Sequence, residues 1–131
     1  MEKADVGRKI LGANETYALK NRQLLSRYGK RCFNMISSPG SGKTTLLVRT
    51  ITDLGDSLRI GVIEGDLQTD IDAERIRATR APAIQINTEG ACHLSAKQVS
   101  GALESLPVAG LDLVIIENVG NLVCPSAFEL G

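Results

Sequence analysis

The chain has 131 residues, of which 43% are hydrophobic and 23% charged, so it is long enough for one packed core and too short for two ordinary domains. Its 15 Lys and Arg residues balance its 15 Asp and Glu residues, which excludes the strong basic field of nucleic-acid binders and the acidic excess of disordered tails. No apolar run approaches the ~20 residues that span a bilayer and no secretory segment is evident, so we expect a cytoplasmic chain with neither nucleic-acid nor membrane partners.

The first predicted element is an amphipathic helix over the first thirty residues. Its apolar residues recur at steps close to 3.6, at Val6, Ile10, Ala13, Tyr17, Leu24 and Tyr28. Gly29 suits the C-terminal cap. We expect residues 1–30 to form a helix that packs on a domain formed by residues 31–131.

From residue 31 onward, short apolar runs alternate with helical stretches. Ser95 and Gln98 are spaced as a capping box at the start of the last helix. With right-handed crossovers, the alternation predicts an α/β fold, a three-layer sandwich with a mainly parallel sheet and helices on both faces. The predicted strands are 33–36, 60–63, 83–86 and 111–116, and the predicted helices are 44–54, 70–79 and 96–106.

A glycine-rich segment connects the first predicted strand to the helix after it. The glycines let the backbone approach phosphates, and N–H groups and the helix N-terminus attract their charge. In such a P-loop, Lys43 reaches the β and γ phosphates and the Thr44 hydroxyl ligates Mg²⁺. The alternative is a glycine-rich turn with an exposed lysine, and the strict G-x-x-x-x-G-K-S/T pattern would place Gly at position 37. The segment reads Ser37, Ser38, Pro39, Gly40, Ser41, Gly42, Lys43, Thr44 and Thr45, and we predict that residues 39–45 bind nucleotide.

A P-loop also requires an acidic group at the carboxyl end of a nearby strand, for Mg²⁺ or the attacking water. Glu117 ends the fourth predicted strand, and residues 117–120 resemble a Walker B end followed by the D-x-x-G switch of G proteins, with Glu replacing Asp. Asp66 follows the second strand. We expect Glu117 and Asp66 to serve Mg²⁺ and water, and Gly120 to contact nucleotide. Alternatively, each carboxylate caps a helix or faces solvent.

Two cysteines and the sole histidine also follow predicted strands. Cys92 and His93 are adjacent after the third strand, and Cys124 follows the segment that begins at Glu117. Two thiolates and an imidazole suit Zn²⁺ or Ni²⁺, whereas a cysteine outside a C-x-x-C pair is more often a small buried hydrophobe. The spacing leaves both interpretations open. Cys32, at the start of the first strand, is interpreted as a core residue.

Four segments in this order resemble those of the hydrogenase nickel-incorporation GTPases, the HypB family. They are residues 37–45, 64–66, 90–94 and 117–125. The resemblance implies GTP hydrolysis to GDP, a homodimer promoted by GTP, and a Ni²⁺ or Zn²⁺ site formed by Cys92, His93 and Cys124 near the dimer interface. It also implies two partners, a nickel-delivery accessory protein and the precursor of a hydrogenase large subunit.

The chain departs from the family pattern at two points. The N-terminal cysteine motif or His-rich stretch of many members is absent, and the chain ends before the N/T-K-x-D motif with which the family reads guanine. We therefore expect a partial GTPase domain, truncated at its C-terminal side and with its sheet incomplete at that edge. Two alternatives stay open: an ATP-using P-loop enzyme such as a small-molecule kinase with structural cysteines, and a metal carrier in which nucleotide controls dimerisation with negligible hydrolysis.

The position of Cys124 suggests how the two activities are joined. It lies four residues beyond Gly120, so the segment that senses the γ-phosphate also carries a predicted metal ligand. Our hypothesis is that GTP binding and hydrolysis change metal affinity by moving Cys124 relative to Cys92 and His93.

Overall fold

The predicted helices and strands are all present in the computed structural model, with ends shifted by a few residues. The structure describes residues 3–38, 42–65, 70–88, 91–121, 125 and 129–131, without the side chains of residues 3–11 and 70–72. In chain order the elements are α1 Lys3–Arg27, β1 Arg31–Met35, α2 Lys43–Leu54, β2 Ile60–Glu64, α3 Asp70–Ala78, β3 Ala83–Gln85, α4 Ala96–Ser105, a 3₁₀ turn Val108–Gly110 and β4 Leu113–Glu117. None of the helices in these ranges is long and apolar enough to cross a membrane.

The four described strands form one parallel sheet in the order β1-β4-β2-β3. The α/β prediction is therefore confirmed. The connection through α4 returns the chain across the sheet and inserts β4 between β1 and β2. As a result, the end of β4 lies beside the end of β1, where the phosphate loop starts, and beside the end of β2.

Helices cover both faces of this sheet, which makes three layers. On one face, α1 and α4 contribute Leu25 and Val99 to a buried cluster with Val114 of β4. On the other face, Leu47 of α2 and Ile76 of α3 pack with strand residues that alternate with the first set. Because β2 and β4 are buried along their whole length, both read as continuous apolar runs, as central parallel strands do.

The extent of α1 is close to its prediction, but the predicted apolar stripe is buried only in part, since Leu24 packs against the core and Tyr17 is half-buried. Ala13 and Tyr28 are exposed, and the side chains of Val6 and Ile10 lie outside the described set. The buried face instead carries Asn14, Ala18, Asn21 and Leu25. The asparagines are buried because they hydrogen-bond backbone groups of other elements, which a search for apolar periodicity does not register.

Asn14 and Asn21 join α1 to two distant segments. The Asn14 amide donates to the Glu129 carbonyl at 2.7 Å, and its oxygen accepts the Ala96 N–H at 2.8 Å. The Asn21 amide donates to the carbonyls of Ala96 at 3.0 Å and Leu130 at 2.7 Å. Each asparagine therefore bridges the start of α4 and the segment at residues 129–130.

The predicted ends of α1 and α4 are confirmed in their local geometry. Gly29 has a φ of 64°, and the N–H groups of Gly29 and Lys30 reach back to the carbonyls of Ser26 and Leu25. This is a Schellman motif, which requires a left-handed residue that glycine supplies without steric cost. At α4, Ser95 and Gln98 form the predicted capping box.

Candidate functional site

The phosphate loop leads into α2 as predicted. Gly42 has a φ of 92°, a left-handed conformation that favours glycine, and α2 begins at the next residue, Lys43. The side chain of Lys43 is buried, with 8% exposure, which argues against an exposed lysine in a simple turn. Pro39, Gly40 and Ser41 lie outside the described residues, so their contacts with phosphate stay predictions.

The structure brings Thr44 and Glu117 together. The Thr44 hydroxyl donates to Oε1 of Glu117 at 2.8 Å, and Glu117 is only 1% exposed at the carboxyl end of β4. A threonine hydroxyl that donates its one proton keeps oxygen lone pairs for a cation. A hydroxyl beside a carboxylate is an oxygen donor set that Mg²⁺ prefers, so the residues present fit this ion.

A second buried carboxylate, Glu64, lies beside Glu117 and was not predicted as a site residue. The two residues are register partners at the ends of β2 and β4, which places their Cα atoms about 5 Å apart. Both are buried and point to the sheet face that α2 covers, because side chains alternate along a strand. The repeated Ile-Glu ending of both strands was the available signal. Asp66, two residues further along, lies outside the described residues.

An arginine of α3 also reaches the phosphate-loop helix. Nη1 of Arg75 donates to Oγ1 of Thr45 at 3.3 Å. Nothing in the sequence distinguishes Arg75, because a basic residue in a charged helix is ordinarily solvated. Its contact with Thr45 adds a guanidinium to the elements that surround this site.

The predicted metal residues are brought together in part. Sγ of Cys92 lies 3.6 Å from Nδ1 of His93, and both side chains are half-buried. Desolvation lowers the pKa of His93 below its usual 6.5, which favours the neutral imidazole that binds metals. Cys124 lies outside the described residues, and within those residues no three potential ligands cluster.

The loop that carries Cys92 and His93 is joined to the end of β4. The Leu94 N–H donates to Oδ1 of Asn118 at 3.1 Å, and the Val119 N–H donates to the same oxygen at 2.8 Å. Nδ2 of Asn118 donates to Oδ1 of Asn34 on β1 at 3.0 Å. Sequence reasoning missed Asn118, because the G-protein switch pattern assigns its position no side-chain role. Gly120, predicted to contact nucleotide, is half-buried two residues further on.

Leu94 is also seated against the end of β2. It is fully buried, and a Cβ added at Gly65 would lie 2.5 Å from its side chain. The Gly65 N–H donates to the Glu117 carbonyl at 2.8 Å. The residue after His93 therefore contacts both strand ends that carry the buried carboxylates.

The third cysteine is a core residue, as predicted. Cys32 is half-buried on β1 and packs against the apolar cluster that α1 and α4 share. Burial raises the pKa of its thiol to about 12. Cys32 is thus kept as a neutral thiol and does not belong to the Cys92–His93 pair.

Known proteins similar to this chain include nucleotide-binding domains, in agreement with the phosphate-loop geometry described above. A family model described as the CobW/HypB/UreG nucleotide-binding domain matches residues 32–130. The hydrogenase maturation factor HypB of Rhizobium leguminosarum bv. viciae is 57% identical over 126 residues, which are 96% of this chain and 42% of that protein. The chain spans about two fifths of the length of such relatives.

Two solved structures share the fold at clear sequence identity. The hydrogenase maturation factor HypB of Archaeoglobus fulgidus superposes with a TM-score of 0.86 at 40% identity, covering 92% of this chain and 59% of that one. HypB of Helicobacter pylori, solved in complex with nickel, gives a TM-score of 0.80 at 43% identity, covering 91% of this chain and 56% of that one.

Proposed function

The chain belongs to the CobW/HypB/UreG family of nucleotide-binding domains, and from that membership we propose that it forms part of a GTP-hydrolysing metallochaperone. In this proposal the protein binds nickel or zinc and assists nickel insertion during the maturation of nickel–iron hydrogenase. GTP promotes its homodimer. Its further partners are a nickel-delivery accessory protein and the large-subunit precursor of the hydrogenase.

The observation that carries the nucleotide half of the proposal is the 2.8 Å hydrogen bond between Thr44 and Glu117. It joins the first turn of the helix after a glycine-rich loop to a carboxylate at the end of the neighbouring strand. P-loop enzymes hold Mg²⁺ with this pair of groups. We propose that Lys43, one residue earlier and buried, contacts the β and γ phosphates.

Hydrolysis then depends on placement and electrostatics. A water oriented by Asp66 attacks the γ-phosphorus, and the bond from phosphorus to the β–γ bridging oxygen breaks, giving GDP and phosphate. Lys43 and the N–H groups at the start of α2 stabilise the charge that develops on the phosphoryl oxygens. Mg²⁺, held by Thr44 and Glu117, would supply further neutralisation of the phosphate charge.

The metal half of the proposal rests on the Cys92–His93 pair. Sulfur and imidazole nitrogen lie within 3.6 Å of each other, and the neutral imidazole suits Ni²⁺ or Zn²⁺. We propose Cys124 as the third ligand of one chain. Ligands from a second copy would complete the coordination that three ligands leave open.

Nucleotide state and metal affinity are coupled in this proposal. GTP binding and hydrolysis move Cys124 relative to Cys92 and His93 and thereby change the metal affinity, with a coupling free energy of about 1–3 kcal/mol. By linkage, bound metal changes nucleotide affinity by the same factor.

The decisive experiment measures Ni²⁺ and Zn²⁺ dissociation constants, and the oligomeric state, of the full-length protein with GDP and with a non-hydrolysable GTP analogue. Metal affinities that differ between the two nucleotides support the proposed coupling, whereas equal affinities contradict it. Competition between ATP and GTP tests the preference for the guanine nucleotide, and single-turnover measurements test hydrolysis. A preference for ATP, or an absence of hydrolysis both with and without partners, would contradict the proposed GTPase activity.

A cysteine variant tests the metal ligands. Cys124→Ala should weaken Ni²⁺ binding and leave GTP binding largely intact. Cys32→Ala is the matched control, because Cys32 is a protonated core thiol, and it should leave Ni²⁺ affinity unchanged. Equal Ni²⁺ affinities in the two variants would remove Cys124 from the ligand set.

A further inference from the structure

Asn118 occupies the junction between the nucleotide end of the sheet and the loop that carries Cys92 and His93. It directly follows Glu117, whose carboxylate accepts the Thr44 hydroxyl. Its own N–H continues the sheet ladder by donating to the Met35 carbonyl at 3.1 Å. Its side chain is fully buried, so its hydrogen bonds are not exchanged with water.

One oxygen of this side chain holds two segments together. Oδ1 of Asn118 accepts the N–H of Val119, within the predicted switch segment, and the N–H of Leu94, next to His93. A shift of Asn118 must therefore either carry Leu94 with it or leave a buried N–H without its acceptor. The second outcome is costly, so movement of the two segments is expected to be concerted.

Leu94 is well placed to pass such a movement to the metal pair. Its side chain is packed against Gly65, which is itself bonded to the Glu117 carbonyl. On its other side, the capping box at Ser95 begins α4 directly. Only Leu94 and Ser95 separate His93 from that helix. Because this connection is short, a displacement of Leu94 should also displace His93.

We propose that Asn118 is the positioning residue that adjusts the Cys92–His93 pair to the nucleotide state, through the bond from its side-chain oxygen to the Leu94 N–H. The inference rests on the proposed function, since it assigns a route to the coupling between GTP and metal. It differs from the movement of Cys124, because it acts on the other two ligands and runs through described contacts.

The test compares Ni²⁺ dissociation constants of the full-length protein with GDP and with a non-hydrolysable GTP analogue, and takes their ratio. In the unmodified protein we expect a ratio of at least about fivefold. Asn118→Ala removes the acceptor and should bring the ratio to within about twofold. A loss of affinity common to both nucleotide states cancels in the ratio, so a merely structural role would not move it.

Two further variants sharpen the result. Asn118→Ser has a side chain too short to reach the Leu94 N–H and should lower the ratio as Ala does, which keeps the test available where the Ala variant does not fold. Asn34→Ala removes the other hydrogen bond of the same amide and, as the matched control, should keep the ratio.

The outcomes separate the inference from the function on which it rests. If the unmodified protein binds Ni²⁺ equally with both nucleotides, the coupling and this route both fall. If the unmodified protein discriminates and the Ala or Ser variant discriminates equally well, the coupling stands and the role of Asn118 is rejected.

Discussion

At the scale of single residues, the site is built from groups that are buried and charged. The side chains of Lys43, Glu64 and Glu117 are all buried near the start of α2. A charged group taken from water needs compensation, and Glu117 receives part of it from the Thr44 hydroxyl. Groups of both signs are thus buried in one part of the molecule, where the proposed nucleotide and its cation would also carry both signs of charge.

Lys43→Ala is expected to abolish nucleotide binding or hydrolysis, because it removes the ammonium that we propose contacts the β and γ phosphates. The measurement is nucleotide binding by calorimetry together with phosphate release. Lys97→Ala, an exposed lysine on α4, is the control and should behave as the unmodified protein. Retention of both activities by Lys43→Ala would overturn the P-loop assignment.

His93 should titrate below pH 6.5 in the metal-free protein, since desolvation lowers its pKa. The neutral ring is favoured by the fold, so its contribution to stability is present above the unfolded-state pKa and is lost as pH falls through the lowered value. Because His93 is the sole histidine, an NMR titration of untagged protein reports it without overlap. A midpoint at or above 6.5 would contradict this expectation.

The site residues that the sequence predicts share one property, which is that a motif or a strand end assigns a side-chain role to their position. Lys43 and Thr44 are part of the glycine-rich segment, and Glu117 closes an apolar run. Asn118 and Arg75 were not predicted from the sequence, because their hydrogen-bond partners are distant along the chain. These partners are Leu94 and Thr45, respectively. Such pairings depend on the strand order, which the apolar pattern does not encode.

At the scale of elements, α1 shows the same limit. Its extent follows from helical periodicity and the glycine cap, but its buried face depends on asparagines that bond carbonyls more than seventy residues away. Through Asn14 and Asn21, α1 holds the start of α4 beside residues 129–130. The first of these segments begins three residues after His93, so α1 supports the helix that follows the Cys92–His93 pair.

Asn21→Ala should lower the free energy of unfolding by about 1–3 kcal/mol, because it leaves two buried carbonyls without their donor. Denaturant unfolding of the purified chain measures this change. Gln23→Ala, an exposed substitution on the same helix, should fall within ±0.5 kcal/mol. Equal stabilities of the two variants would show that the asparagine bridge contributes nothing.

At the scale of the whole molecule, the order β1-β4-β2-β3 leaves β1 at the edge of the described sheet. Its Phe33 side chain is 57% exposed. The four predicted strands and their parallel direction are confirmed, but the position of β1 was not predictable, because a return crossover can place β4 on either side of it. An edge strand with exposed apolar side chains is a template for association.

The 131-residue chain is therefore expected to associate as its concentration rises. Phe33→Lys should reduce this association, since an edge lysine opposes strand pairing. Leu19→Lys is the control, because Leu19 is 53% exposed but lies on α1. Sedimentation velocity over a concentration series gives the answer, and a chain that stays monomeric at high concentration would contradict it.

The burial of Cys32 has a practical consequence for following the metal loop. A thiol with a pKa of about 12 is almost entirely protonated at pH 7 and reacts slowly with alkylating reagents. In a Cys124→Ala background, a maleimide fluorophore should therefore label Cys92 selectively without replacement of Cys32. Labelling would then give a single-site optical reporter on the loop, with the core of the sheet left in its native composition.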